Sequence, residues 1–523
     1  MRSVTCSWFL LWPLAALSAG CTTEAAVAVD RASELATNDA ASHRVHHVII
    51  VMQENHSFDN YLGALAYAPN TPYRPAPAAG CPLDDHRCVD GLTCQPAAGA
   101  LACANANLAA DGTTVHAFHD PNRCVLPDLD HEWLGSHREV NFDRPNAARS
   151  DPRLDGFVRV NDELSPPDAE HETMGFYHQD DLPFYYELAQ RFAISDRFFS
   201  SLVGPTFSNR AYLAAATSFG HLTSADQIPP PGGYRPIHGT IFDLLDRNDV
   251  SWANYFQDVP QGASFRPFGP LASDPHFVPL SVFLAQAAGA PGAGDLPAVS
   301  FVDPAFGVLG LAAENDEHPP TDIQRGQAFV AQVIGAVRSG PAWNDSVIFV
   351  VWDEHGGFYD HVAPPPAVAP DDVQPGQCAD RSDPPASLLP GGGAECHDNL
   401  HFDPATSVAV AIALCPALAA DPTGPYPAGC ARFDQLGVRV PFIAVSPFAR
   451  RQYVSHTVAD HTSILAFLET VFLPPLRGER QHLTERDRAA DNLLDLFDFV
   501  HAPSRNTAVG AAAPPASDCT PSP

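Results

Sequence analysis

Residues 46–52 read HHVIIVM and pass at once into QENHSFDN. An uninterrupted run of β-branched and other apolar side chains, without alternation, matches a strand buried on both faces, as in a parallel sheet. The abrupt polar stretch marks its carboxyl end. A second run, Ser346 to Trp352 (SVIFVVW), ends in Asp-Glu-His-Gly-Gly, and a third, Val438 to Val445 (VRVPFIAV), ends in Ser-Pro. Amphipathic spacing predicts helices over Pro183–Phe192, Ile241–Asn248, Asp322–Val337 and His461–Val471. Strands alternating with helices imply an α/β sheet. In such sheets ligands collect outside the carboxyl ends of the strands, and two of the three runs carry acidic residues there.

The chain has 523 residues, enough for one large domain or two to three ordinary ones. Its 52 prolines and 17% charged residues point to long ordered loops around a sizeable core. Net charge is −32, and every fixed side-chain cation is an arginine. Such a surface repels phosphate backbones, which argues against nucleic acid as a partner, and it disfavours anionic lipid for the same reason. A zwitterionic or neutral substrate escapes that penalty, as does an anion drawn to a local cation in a cleft.

Residues 1–20 have the form of a signal peptide: Met-Arg-Ser, an apolar run from Cys6 to Leu17, then Ser18-Ala19-Gly20. Cys21 after these small residues also suits a lipid anchor, so the expected location is secreted, periplasmic or attached to the cell envelope. No later segment offers the roughly 20 continuous apolar residues of a membrane span. Residues 21–44 read as a flexible tether, 45–501 as the body, and 502–523 as a disordered tail pinned, if at all, by Cys519. Setting aside Cys6 and Cys21, ten cysteines remain, in clusters at 81–124 and 378–519. An oxidising compartment would pair them into disulfides that staple loop insertions, about 78–125 and 371–431.

Three loops carry candidate chemistry. Glu54 and Asn55 follow the first strand, and Asp353 and Glu354 follow the second, each pair offering hard oxygen ligands suited to a divalent cation. Gly356 and Gly357 then let the backbone approach closely. In SSLVGPTFSNRAYL (200–213), Gly204-Pro205 makes a turn that presents Thr206, with Arg210 within reach. Thr206 is either an activated nucleophile or a threonine that caps a helix. His131, His137, His318, His361 and His461 complete the inventory.

Together these segments resemble the bacterial phospholipase C and acid phosphatase A phosphoesterases, relatives of alkaline phosphatase and sulfatase folds. The resemblance rests on HVIIVMQENHSFDNYLG, DHEWLGSH, SSLVGPTFSNRAYL, NDEHPPTDIQRGQAFV, VIFVVWDEHGGFYDHVAPP and DHTSILAFLE, and runs from about His46 to Phe499. It implies a three-layer α/β/α sandwich with a mostly parallel central sheet. It also implies a metal held by Glu54, Asn55, Asp353, Glu354 and the nucleophile Thr206, with the ion left open between Ca, Mg and Zn. His318 and His131 would bind phosphate or protonate the leaving group; Asn55, Arg210 and His361 would bind substrate. Two departures from the family pattern stand out. The stretch Cys81 to Cys124 is placed to cover the cleft, and no further C-terminal β modules for membrane docking follow the body. The reaction implied is two-step hydrolysis of a phospholipid headgroup through a phosphothreonine, with a small phosphomonoester as the alternative substrate. A non-catalytic surface binding protein on the same fold is the alternative of another class.

Overall fold

A computed structural model describes residues 36–504 apart from 98–99, 225–233, 235, 237, 267–273, 308–309, 311–312, 372–406, 421–426 and 428, and beyond them residues 509, 510 and 519. The signal peptide, Cys21, Cys378 and Cys396 lie outside the described residues.

Eight strands form the central sheet: β1 (His47–Gln53), β2 (Ala193–Ser195), β3 (Trp252–Phe256), β4 (Phe277–Pro279), β5 (Val299–Val302), β6 (Ser346–Trp352), β7 (Phe442–Val445) and β8 (Tyr453–Ser455). Their order is β4-β3-β5-β1-β6-β7-β2-β8. All neighbouring pairs are parallel except those of β7, which runs antiparallel to both β6 and β2. The first two apolar runs are therefore adjacent strands in the middle of the sheet, paired without a slip from His47↔Ser346 to Gln53↔Trp352. The third run forms a strand only over its second half. Pro441 offers no N–H to a ladder, and Arg439 directs its guanidinium inward to Asp59 and Asp360.

The helices used below are α1 (36–44), α2 (Phe58–Leu62), α3 (Trp133–Val140), α4 (Pro183–Arg191), α5 (Thr206–Ala215), α6 (Ile241–Arg247), α7 (Leu280–Ala287), α8 (Ile323–Ser339) and α9 (His461–Phe472). The four helices predicted from spacing are α4, α6, α8 and α9. They pack in two groups, α4 and α7 on α8, and α5 on α6 and α9. Every residue of β6 is buried, which requires cover on both faces, so the architecture is a three-layer α/β/α sandwich. Each fully buried Val or Ile in β1 and β6 contributes about 1.5–3 kcal/mol relative to exposure. Among the described residues no helix is long and apolar enough to cross a membrane.

Two expectations need correction. Residues 36–44, expected as part of a flexible tether, form α1, and Ala41 is buried in the main core. Residues 78–125 contribute nothing to the walls of the main cavity. They fold beside it instead, around a satellite core that includes Leu92, Ala109 and Ala117. Disulfides Cys81–Cys88 and Cys94–Cys103 close within this stretch. Cys415–Cys430 closes a second loop, and Cys124–Cys519 joins positions 395 residues apart.

Past the strand ends the two chains cross closely. Gly356 has φ +63°, and a Cβ there would lie 2.0 Å from the carbonyl oxygen of Asn55. A left-handed conformation costs a non-glycine residue about 1–2 kcal/mol before any clash. Gly356→Ala should therefore lower the melting temperature. An unchanged melting temperature in G356A would show that this crossing accommodates a side chain.

Candidate active site

The in-register pairing of β1 and β6 brings Glu54-Asn55 and Asp353-Glu354 side by side. The Asp353 N–H donates to the Gln53 carbonyl (3.2 Å), which extends the ladder by one residue. The Asn55 N–H donates to Asp353 Oδ1 (3.2 Å), and Asn55 Nδ2 donates to Glu354 Oε1 (3.0 Å). The Glu354 and Gly356 N–H groups complete the carboxylates' partners at 2.7 Å each. Asn55, Asp353 and Glu354 are wholly buried, whereas Glu54 lines a cavity of about 620 Å³.

Thr206 lines the same cavity. Pro205 is the cap residue of α5 and Thr206 its first helical residue, so the alternative of a capping threonine is not what the fold adopts. Asn209 fixes the turn that presents it: its Nδ2 donates to the carbonyls of Gly204 (2.7 Å) and Pro205 (3.2 Å), and its Oδ1 accepts from the Leu202 N–H (3.1 Å). One turn on, Arg210 extends to the strand ends. Its Nε donates to Asp353 Oδ2 at 2.6 Å, and its Nη2 lies 3.1 Å from Glu54 Oε1. Arg210 Nη1 is buried without a hydrogen-bond partner in the protein.

His131 and His318 stand edge to face across the cavity, ring centres 5.6 Å apart. Each is anchored through Nδ1, which donates to the carbonyl of Leu129 or Pro319 at 2.8 Å. That leaves Nε2 as the nitrogen free to work on a ligand. Asp128 lies 3.8 Å from both rings. Sequence reasoning missed this residue, although DLDHEW places it three positions before His131. It also missed Asp303, Glu314 and Asp316, which line the cavity. Asp303 directly follows β5, whose four residues (VSFV) were too few to stand out as a run. Asp316 sits two residues before His318 in NDEHPP, and its carbonyl accepts from the Glu54 N–H (2.8 Å).

The electrostatics are those of crowded buried acids. Burial raises the pKa of Glu54, and Asp353 adds to the shift against the opposing pull of Arg210. Burial also carries Glu354 and Asp316 well above the usual carboxylate range, with Glu54 adding to both. For His131, burial opposes the charged form, but Glu354, Asp128 and Glu132 outweigh it and hold the pKa well above the ordinary imidazole value. Glu54 and Asp353 pair with one guanidinium, and Glu354 with the Asn55 amide lies beside Asp353, hard oxygen ligands of the type a divalent cation takes. The Oδ1 of Asn55, buried with no hydrogen-bond partner, agrees with a ligand role. Among the described residues of the cavity, the group whose ligand atoms lie within 4.8 Å of one another is Asp128 with His131 and His318.

Other histidines fall elsewhere. His361, expected to bind substrate, does not line the cavity. Its Nδ1 pairs with Asp59 at 2.6 Å and its Nε2 with Asp90 at 3.2 Å, in a buried network with Arg439. Burial opposes its charge, but Asp59 and Asp90 carry its pKa up to about 10. His461 lies beneath the site, bridging Ser201 (3.1 Å) and the Trp352 carbonyl (3.0 Å). His137 bonds the Trp133 carbonyl within α3 at 2.7 Å. Glu132 is the cap residue of α3 and lines the cavity.

The chain is similar to known proteins over most of its length. The chain is 29% identical over 466 residues to Non-specific phospholipase C6 of Arabidopsis thaliana, covering 87% of this chain and 72% of that protein. It is 26% identical over 493 residues to Phospholipase C B of Mycobacterium tuberculosis, covering 88% and 79%. Among solved structures, a protein in the Alkaline Phosphatase Superfamily from Vibrio parahaemolyticus matches 58% of this chain and 62% of its own, at 10% identity and a TM-score of 0.28. The model of the Phosphoesterase family matches residues 45–473, taking in β1, the Thr206 turn, both cavity histidines and the β6 acids. The chain belongs to the Phosphoesterase family and is a hydrolase acting on phosphoric esters.

Proposed function

We propose that this hydrolase cleaves phospholipid headgroup phosphodiesters in the manner of a phospholipase C, with Thr206 as nucleophile. The observation that carries the reading is the mixed lining of the cavity. Glu54, Thr206, Arg210, His131 and His318 share it with the aromatic side chains Phe207, Phe242, Phe301 and Phe306, of which Phe242 and Phe301 pack with ring centres 5.1 Å apart. A lining of that kind suits an apolar leaving group better than it suits a small phosphomonoester. The names of the relatives point to the same substrate class.

In the first step Nε2 of one cavity histidine accepts the Thr206 hydroxyl proton as Oγ1 bonds to phosphorus, the bond from phosphorus to the diacylglycerol oxygen breaks, and the departing oxygen takes a proton from Nε2 of the other. In the second, the histidine left neutral accepts a proton from the water that displaces Thr206 from phosphorus, and the one left charged returns its proton to Thr206 Oγ1. Arg210 Nη1 donates to a phosphoryl oxygen throughout, which answers its lack of a partner inside the protein. Glu54, Asn55, Asp353 and Glu354, with Thr206, would hold a divalent metal. When bound, such an ion lowers the pKa of a coordinated hydroxyl and polarises a phosphoryl oxygen. The disulfides fit secretion or export to the cell envelope.

Thr206→Ala should reduce turnover of p-nitrophenylphosphorylcholine roughly a thousandfold or more while circular dichroism stays unchanged. Retained turnover removes Thr206 as nucleophile. Asp353→Ala and Glu54→Ala should each lose both activity and bound metal, read by elemental analysis of the dialysed protein. Undiminished metal content would overturn the ligand set. On one metal-replete sample, phosphatidylcholine and p-nitrophenylphosphorylcholine should be cleaved at a higher kcat/KM than p-nitrophenyl phosphate. The reverse order makes the enzyme a phosphomonoesterase.

A further inference from the structure

Away from the cavity, His119, His178 and Asp181 bring three ligand atoms within 4.8 Å of one another. His119 Nε2 lies 2.8 Å and His178 Nδ1 3.0 Å from the same oxygen, Asp181 Oδ2. The two imidazoles stack with centres 3.6 Å apart and planes 13° from parallel. The same oxygen also accepts the His178 N–H at 3.0 Å, so three nitrogens converge on one carboxylate oxygen. All three side chains reach solvent, at 30%, 34% and 12% exposure.

Among the described residues three other clusters offer similar ligand types, and each is accounted for. Cys81, near Asp196 and His456, is bonded to Cys88 and has no thiolate to offer. Asp59, Asp360 and His361 are neutralised by Arg439, whose guanidinium bonds both carboxylates. Asp128, His131 and His318 belong to the cavity described above. The pair of histidines with Asp181 belongs to neither the cavity nor the Arg439 network.

We propose that His119, His178 and Asp181 form a second metal site, for a zinc-class cation, that fastens the disulfide-rich stretch to the catalytic body. Two imidazole nitrogens and one carboxylate oxygen suit borderline cations such as Zn²⁺ rather than Ca²⁺ or Mg²⁺, which favour all-oxygen sites. Bonds of 2.0–2.2 Å in a tetrahedron separate ligand atoms by about 3.4 Å. The observed 2.8 and 3.0 Å distances therefore need to open by roughly half an ångström, within the reach of partly exposed side chains. Solvent supplies the fourth ligand.

The position gives the site its role. His119 ends the strand Phe118–His119, which leaves the disulfide-rich stretch and pairs with Gly175–Phe176. His178 and Asp181 lie in the loop that opens α4. That loop is tied to α8 by Gln324 and Gln327, both of which donate to the Asp181 carbonyl at 3.1 Å. A cation held by all three side chains would couple the stretch to two helices on one face of the sheet.

The test uses the full chain, stripped with a chelator and titrated with ZnCl₂ by calorimetry, with bound zinc counted after dialysis. H119Q/H178Q should bind one equivalent fewer per chain than wild type, gain less in melting temperature from added Zn²⁺, and keep full hydrolysis once metal is restored. Equal stoichiometry in the two proteins overturns the proposal, whatever becomes of the reading of Thr206. Should the double variant not fold, H178Q alone leaves the strand intact and should weaken this one site about tenfold or more. Unchanged affinity there overturns it equally.

Discussion

Everything at the site depends on β1 and β6 lying side by side, parallel and in register. Because Gln53 pairs with Trp352, the next residues are obliged to meet, and they are Glu54, Asn55, Asp353 and Glu354. The strands are apolar from Val48 to Met52 and from Val347 to Trp352, so the same burial that stabilises the sheet withdraws these acids from water. Buried carboxylates at this spacing demand positive charge. The fold meets part of that demand with Arg210, delivered from α5, and the donor set suits a divalent ion for the rest.

Two buried arginines show how differently the same compensation is used. Arg439 is saturated: its Nε bonds Asp360 (2.9 Å), its Nη2 bonds Asp59 (3.1 Å), and its Nη1 donates to the carbonyls of Asp90 (2.7 Å) and Asp196 (2.9 Å). It locks the loop after β1 to the loop after β6, and His361 is part of that lock. Arg210 pairs with Glu54 and Asp353 and has one buried donor, Nη1, without a partner in the protein. A satisfied guanidinium holds structure together; on the proposed reading the spare donor meets a phosphoryl oxygen.

The long apolar runs carried the fold, because seven buried residues in a row leave a mark that needs no tertiary context. Runs shorter than that did not: β5 has four residues and β2 and β8 three, so Asp303 went unread at a strand end equivalent to those of Glu54 and Asp353. The antiparallel course of β7 was equally hidden, since periodicity carries no direction. Glu54, Asn55, Asp353, Glu354 and Thr206 stand out in the sequence through their joint appearance in family order, each being weak by itself, and the sheet register brings the two acidic pairs side by side. His361 failed for the converse reason. Its motif, DEHGGFYDH, is chemically suggestive, but the two glycines turn the chain away from the cavity and toward Asp59. Asp128 stood beside a histidine already singled out, and only its distance of 3.8 Å from both rings distinguishes it from a solvated acid.

The cavity draws its chemistry and its selectivity from different parts of the fold. Glu54, Thr206 and Arg210 come from a strand end and the first turns of α5, positions fixed by the sheet register and by the Asn209 staple. The aromatic side chains are Phe207 of α5, Phe242 of α6, Phe301 of β5 and Phe306 in the loop beyond it, the first three also part of the main core. On the proposed reading the polar set defines attack at phosphorus, and the aromatic set defines which ester presents itself. On that reading a net charge of −32 bears on the same choice, because it repels anionic surfaces at long range while Arg210 would meet a single phosphate at short range. The proposal therefore favours a zwitterionic headgroup, whose long-range charge cancels.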